Sequence, residues 1–269
     1  MALRKEEMEL RGPTPSALNF AETCSHVNSH WRRVALTTPV LWRELRFSKR
    51  PAKNERERVW LERSKRTNLF IYFPYMHKPL FNELLETLRL HLPRARIISM
   101  EGQRIKHLQN FLRNLPPRMD NLRILELRAD YHQLEGDYVQ NLFEEGAPHL
   151  QEVTLEYISL HLVVFPTNNI TKLCLVHSDI RVLQLDAVLQ SVASTLQWLS
   201  IELSHVDPPQ SNLTIPPQLS SSPTPFPNLH TLELGEDGLL ISTHILTNFW
   251  YVHRFRRPVQ PIPEPQLNT

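Results

Sequence analysis

Cys24, His26 and His30 are the first residues of this chain whose types could do chemistry. The two histidines stand four apart, so a helix would place them on one face with the thiol nearby. Zinc takes three or four nitrogen or sulfur ligands, and no further Cys or His stands at a usual spacing, so no metal is expected here. Glu135 with Asp137 and Glu144 with Glu145 read as exposed acids at helix ends rather than as an acid–base couple. The chain contains no G-x-S-x-G, no H-E-x-x-H, no phosphate loop and no dinucleotide-binding glycine set. Only six glycines stand against 22 prolines, which disfavours phosphate-cradling loops and favours frequent breaks between short elements. The expectation is a protein that is not an enzyme and carries no cofactor.

Chemistry suited to binding is more abundant. An L-x-x-L-x-L pattern occurs at Leu122, Leu125 and Leu127. It recurs at Leu150, Val153, Leu155; at Ile170, Leu173, Leu175; at Leu196, Leu199, Ile201; and at Leu229, Leu232, Leu234. Each block follows a turn-rich lead-in, and helical patterns lie between some of them, for example Leu185, Val188, Leu189 and Val192. Ordered recurrence of this kind is the signature of stacked units that bury a leucine ladder together because none can bury its own apolar face alone. The residues between the leucines would then line the open side. Glu126, Arg128, Glu152, Glu156, Lys172, Trp198, Glu202 and Glu233 are the candidate partner-binding residues on that face. A tryptophan among several glutamates would suit a basic or amphipathic segment of a protein partner. The plain alternative is a solvated sheet face. The usual repeat asparagine three residues after the last leucine is replaced by Asp130, Ser178, Ser204 and Asp237, with Ile158 as the exception, so the array is expected to be irregular.

The elements that would position these residues are legible along the chain. Residues 69–73 and 96–100 are strand candidates. Leu80, Leu84, Leu85 and Leu88 mark one amphipathic helix; Ile105, Leu108, Phe111 and Leu112 mark another. Asn54 with Glu57 reads as the N-cap pair of a helix running to about Ser64. The Pro- and Ser-rich stretch 207–227 reads as a disordered surface loop, and residues 1–16 and 251–269 as disordered ends.

The net charge of +2 hides an asymmetry: residues 1–66 hold fifteen Lys/Arg against eight Asp/Glu, and the remainder fifteen against twenty. The basic run Arg43, Arg46, Lys49, Arg50, Lys53, Arg56, Arg58 is interleaved with glutamates and reads as a solvated face, so nucleic acid is not the expected partner. Two cysteines make no disulfide framework, and neither a signal peptide nor a membrane span is expected. A cytoplasmic or nuclear location is expected.

Val27–Trp42 reads V-N-S-H-W-R-R-V-A-L-T-T-P-V-L-W. Val27, Trp31, Val34 and Ala35 fall on one face if the segment is a single helix, and Thr38 with Pro39 would cap and begin a second short turn. This run resembles the C-terminal half of the F-box-like module of many fungal proteins, V-[CN]-x-x-W-R-x-[IV]-A-L-x-[ST]-P-x-L-W. That family continues with a W-L-x-R-S helix, here Trp60-Leu61-Glu62-Arg63-Ser64, and commonly with irregular leucine-rich repeats. The resemblance implies an α/β protein with a short N-terminal helical F-box-like unit at 17–47, followed by an irregular leucine-rich-repeat solenoid at 48–250, its parallel strands alternating with helices. It implies a substrate-recognition subunit of a Skp–cullin–F-box ubiquitin ligase, docking on the Skp adaptor through Val27, Trp31, Leu36, Leu41 and Trp42. The family's opening L-P-x-E-[IL] segment has no counterpart in residues 1–20. The competing expectation is therefore a clipped or diverged module in a repeat scaffold that has lost adaptor binding, with Val27–Trp42 packed as an N-terminal cap. A basic-arm nucleic-acid binder is a third, weaker alternative.

Overall fold

In a computed structural model, the structure describes residues 17–47, 55–74, 78–103, 105–130, 140–158, 160, 163–178, 182–202 and 226–235. Helices α1 (Ala17–Val27) and α2 (Ser29–Thr37) and a 3-10 turn (Pro39–Trp42) lead into strand β1 (Glu44–Arg46). Then follow α3 (Glu55–Arg63), β2 (Leu69–Phe73), α4 (Lys78–Leu88), β3 (Ala95–Gln103), α5 (Ile105–Arg113) and β4 (Ile124–Ala129). Beyond these lie β5 (Gln140–Asn141), β6 (Glu152–Glu156), β7 (Val163–Val164), β8 (Lys172–Val176), α6 (Val182–Val192), β9 (Trp198–Glu202) and β10 (Thr231–Leu234). The fold is α/β. Eight strands form one open sheet in the order β1-β2-β3-β4-β6-β8-β9-β10, every neighbouring pair parallel, while β5 and β7 pair separately. Strand order in this sheet follows chain order.

The register explains the leucine pattern. Its middle position forms an unbroken inner row: Leu45, Ile71, Ile98, Leu125, Val153, Leu173, Leu199 and Leu232 are successive cross-strand neighbours, all buried. Its last position forms a second row from Phe73 through Met100, Leu127, Leu155, Leu175 and Ile201 to Leu234. Its first position, at Leu122, Leu150, Ile170, Leu196 and Leu229, is buried in the turn before each strand. Leu84, Leu85 and Leu88 of α4, Leu108, Phe111 and Leu112 of α5, and Leu185 and Leu189 of α6 join the same core. Burying one such side chain stabilises by about 1.5–3 kcal/mol, so the ladder is the main source of cohesion.

A second device sets the spacing of the rungs. The carbonyl of Gln151 accepts from the amides of both Thr171 and Lys172; Thr171 accepts likewise from Gln197 and Trp198, and Gln197 from His230 and Thr231. Just before the first leucine of a block stands a side chain that donates to the preceding rung. Asn121 Nδ2 donates to the Pro93 carbonyl at 3.3 Å, Asn169 Nδ2 to Pro148 at 2.7 Å, Thr195 Oγ1 to Ile170 at 2.8 Å and Asn228 Nδ2 to Ser194 at 2.7 Å. The asparagine-type ladder thus lies before the strands, whereas the sequence suggested its place after them. After the strands the polar stand-in is realised at Ser178, which is buried and donates to the carbonyls of Leu155 and Val176.

Phe226 corrects the 207–227 loop assignment: its ring is buried in the core, where it opens the turn into β10. Residues 203–225, the rest of the expected N-cap pair at Asn54, and both expected disordered ends lie outside the described residues. Leu155→Ala is expected to cost about 2–5 kcal/mol and Asn169→Ala about 1 kcal/mol, both read by urea denaturation.

Candidate functional site

The helical unit is built around a tryptophan that the sequence offered as a docking residue. Trp42 is fully buried, its indole N–H donates to the Ala35 carbonyl at 2.8 Å, and its ring meets Trp60 of α3 edge-on at 5.8 Å. The Arg63 guanidinium lies 4.5 Å from the Trp42 ring centroid. Trp42 is therefore corrected from an adaptor contact to the anchor that fixes the helical unit to the sheet, because no partner can reach a ring enclosed on all sides. The W-L-x-R-S helix is held in turn from the 3-10 turn just before β3. Arg94 donates to the Leu61 and Thr67 carbonyls and to Ser64 Oγ at 3.0–3.2 Å, supplying a cation at the C-terminus of α3.

The stretch before Trp42 is two helices rather than one. Asn28 has extended φ and ψ, and its Oδ1 accepts from the Trp31 amide at 3.0 Å, capping α2 and leaving Val27 as the last residue of α1. The expected stripe is split: Ala35 is buried, whereas Val27 is 60% and Trp31 45% exposed. Thr38 does not cap the turn that follows; its hydroxyl donates back to the Val34 carbonyl at 2.7 Å. Leu36 is also exposed and Leu41 is half-buried against the core. Phe20, Val34 and Val40 are exposed as well. Sequence reasoning missed these three because apolar residues at helical spacing read equally well as core. Phe20 and Val27 lie two turns apart on α1, Trp31 and Val34 one turn apart on α2, and the two helices pack together. These exposed apolar side chains make the helical unit a candidate interaction surface.

The second candidate surface is the outer face of the sheet. The strands bring all eight predicted residues to it. Glu152, Lys172 and Trp198 are consecutive neighbours in one row; Glu126 and Glu233 belong to a second row, on β4 and β10; Arg128, Glu156 and Glu202 belong to a third. Arg128 Nε pairs with Glu156 Oε2 at 3.3 Å, His177 Nε2 lies 3.7 Å from Glu202 Oε1, and Ser99 Oγ donates to Glu126 Oε2 at 2.8 Å. Lys172 Nζ sits 4.6 Å over the Trp198 ring. Glu152 and Glu233 make no ion pair among the described residues. Not every interleucine residue is open: Cys174, Val176 and Ser200 are buried on this side. At the other end, Arg43 stacks on Phe70 and Arg46 on Tyr72, at 4.4 and 4.3 Å. Arg56 lies over Trp60, and Arg58 pairs with Glu83. These members of the basic run are thus engaged with aromatic rings and carboxylates, while Lys49, Arg50 and Lys53 lie outside the described residues.

No family model, curated protein or solved structure matches this chain. Among the described residues no group of His, Cys, Asp or Glu could hold a metal ion, and no helix is long and apolar enough to cross a membrane.

One buried charge lies under the helical unit. Glu57 of α3 is fully buried, its Oε2 has no hydrogen-bond partner, and Arg56, 3.2 Å from Oε1, also reaches Glu22 of α1 at 3.7 Å. Burial raises the Glu57 carboxyl above its ordinary value, outweighing its backbone hydrogen bond and the nearby guanidinium. The folded state therefore holds this proton more tightly than the unfolded chain. The stability it contributes is full below pH 4.5 and is lost as pH rises through the folded value. Glu57→Gln should be more stable than wild type at pH 7 and converge with it below pH 4.5 in pH-resolved denaturation. Trp42→Ala should cost about 3–5 kcal/mol, whereas Trp31→Ala should stay within about 0.5 kcal/mol of wild type.

Proposed function

We propose that this protein is a recognition subunit that catalyses nothing itself, of the F-box-like, leucine-rich-repeat kind. Its α1–α2 unit would dock on the Skp adaptor of a cullin-type ubiquitin ligase, and the outer face of its sheet would hold a client protein. The work of such a subunit is to raise the local concentration of the client at an enzyme carried by the partner. The observation that carries the reading is the separation of roles within the helical unit. Trp42 and Trp60 satisfy its packing against the sheet, and Phe20, Val27, Trp31, Val34, Leu36 and Val40 remain exposed without a structural duty. Tryptophan is among the residue types that most often anchor an interface. Strands in chain order, a continuous leucine ladder and recurring pre-strand asparagines support reading the sheet as an irregular leucine-rich-repeat solenoid.

A scaffold without adaptor binding is the second reading, and the complete burial of Trp42 favours it, since that leaves fewer of the expected docking residues available. Co-purification with the Skp adaptor separates the two. The receptor reading expects a stable complex that Trp31→Ala together with Val27→Asp abolishes while the melting temperature stays within a few degrees. A folded wild-type chain that recovers no adaptor overturns it in favour of the scaffold.

A further inference from the structure

Across β6, β8 and β9 the middle outer row carries short side chains, Thr154, Cys174 and Ser200, in consecutive register. Cys174 is 6% and Ser200 4% exposed. The flanking rows carry mostly longer groups: Glu152, Lys172 and Trp198 on one side, and Glu156 and Glu202 on the other, with the buried Val176 between them. Glu126 on β4 and Glu233 on β10 flank these short side chains in the same row. The result is a shallow trough running across the strands, floored by small groups and walled by long ones. From β4 to β10 it spans four strand spacings, about 19 Å, the length of roughly six residues of extended chain.

The trough is charged. Five carboxylates, Glu126, Glu152, Glu156, Glu202 and Glu233, face two cations, Arg128 and Lys172. Arg128 is already committed to Glu156, whereas Glu152 and Glu233 have no cation among the described residues. Trp198 adds an independent observation. Its indole Nε1–H is shut off from solvent with no hydrogen-bond partner, and its ring face already holds an ammonium group, Lys172 Nζ. A ligand that displaces Lys172 from the ring and brings cationic side chains would satisfy the ring face and the spare carboxylates together.

We propose that this trough binds an extended arginine- or lysine-containing segment of a client protein, with Trp198 stacking one cationic side chain and Glu152 and Glu233 pairing with others. This rests on the reading of the sheet face as the client surface. Guanidinium groups suit it best, since they stack on aromatic rings and meet carboxylates in a two-pronged geometry.

The test uses the full chain and a fluorescein-labelled octapeptide of alternating arginine and serine, followed by anisotropy. Expected is saturable binding that weakens as salt rises and is absent for the matching glutamate–serine peptide. Glu152→Gln and Glu233→Gln should each weaken it about two- to fivefold. Trp198→Ala should weaken it further, with Trp198→Phe recovering part of the loss. Glu86→Gln, which removes an exposed carboxylate on α4, should leave binding unchanged. Equal affinity across these variants, or no binding by folded wild type, overturns the proposal. An adaptor complex without peptide binding removes this inference and leaves the receptor reading. Peptide binding without an adaptor complex does the reverse.

Discussion

A backbone carbonyl just ahead of a strand that accepts from two consecutive amides of the next is the constraint on which the rest of the molecule depends. It recurs at Gln151, Thr171 and Gln197, and it sets where each new strand begins against the one before. Side chains alternate between faces with a period of two, so a slip of one residue would exchange the leucines with the glutamates. With the start of the strand fixed, Leu173 falls beside Val153 and Leu199, and Lys172 falls beside Glu152 and Trp198. The buried ladder and the charged trough are therefore two consequences of one register.

The N-terminal unit meets this sheet through aromatic packing rather than strand pairing alone. β1 is only three residues long, too short to hold two helices in place by hydrogen bonds. Trp42, Trp60 and Arg63 supply the missing rigidity, and Arg94 ties the end of the Trp60 helix to the start of β3. Among the described residues of this first third of the chain, arginines lie on the rings of Phe70, Tyr72, Trp60 and Trp42. Arg46, Arg56 and Arg58 are nonetheless exposed and paired with glutamates, the solvated face that the interleaved charges suggested, with an aromatic ring beneath Arg46 and Arg56.

Much of the strand layout was legible in the residues. The five leucine blocks coincide with β4, β6, β8, β9 and β10, and the apolar run 69–73 with β2, because parallel strands buried on one side leave a strong period-two signal. The α/β class and the helices at α4 and α5 follow from the same patterning. β1, β5 and β7 were not legible, since two or three residues carry no periodicity. The break at Asn28 was missed because helical spacing ran through it, although Asn is itself a strong cap. Of the candidate site, the outer-face residues were placed together correctly by alternation. Trp42 was misplaced, because apolar aromatic character does not distinguish a docking side chain from a buried one; only the tertiary partner Trp60 decides that. Burial of Cys174 and Ser200 was equally invisible, since alternation alone places both on the open face.

Strand order that follows chain order has a mechanical meaning. Each rung is hydrogen-bonded only to the strands before and after it in the sheet, so tension applied at the two ends would peel the sheet one strand at a time. Parallel rungs in register share load poorly when drawn apart sideways, and each release would lengthen the chain by one connecting segment. A molecule of this build yields gradually under pull, in a series of small steps, and can be fed into a narrow unfolding channel from one end while the far rungs still hold their shape.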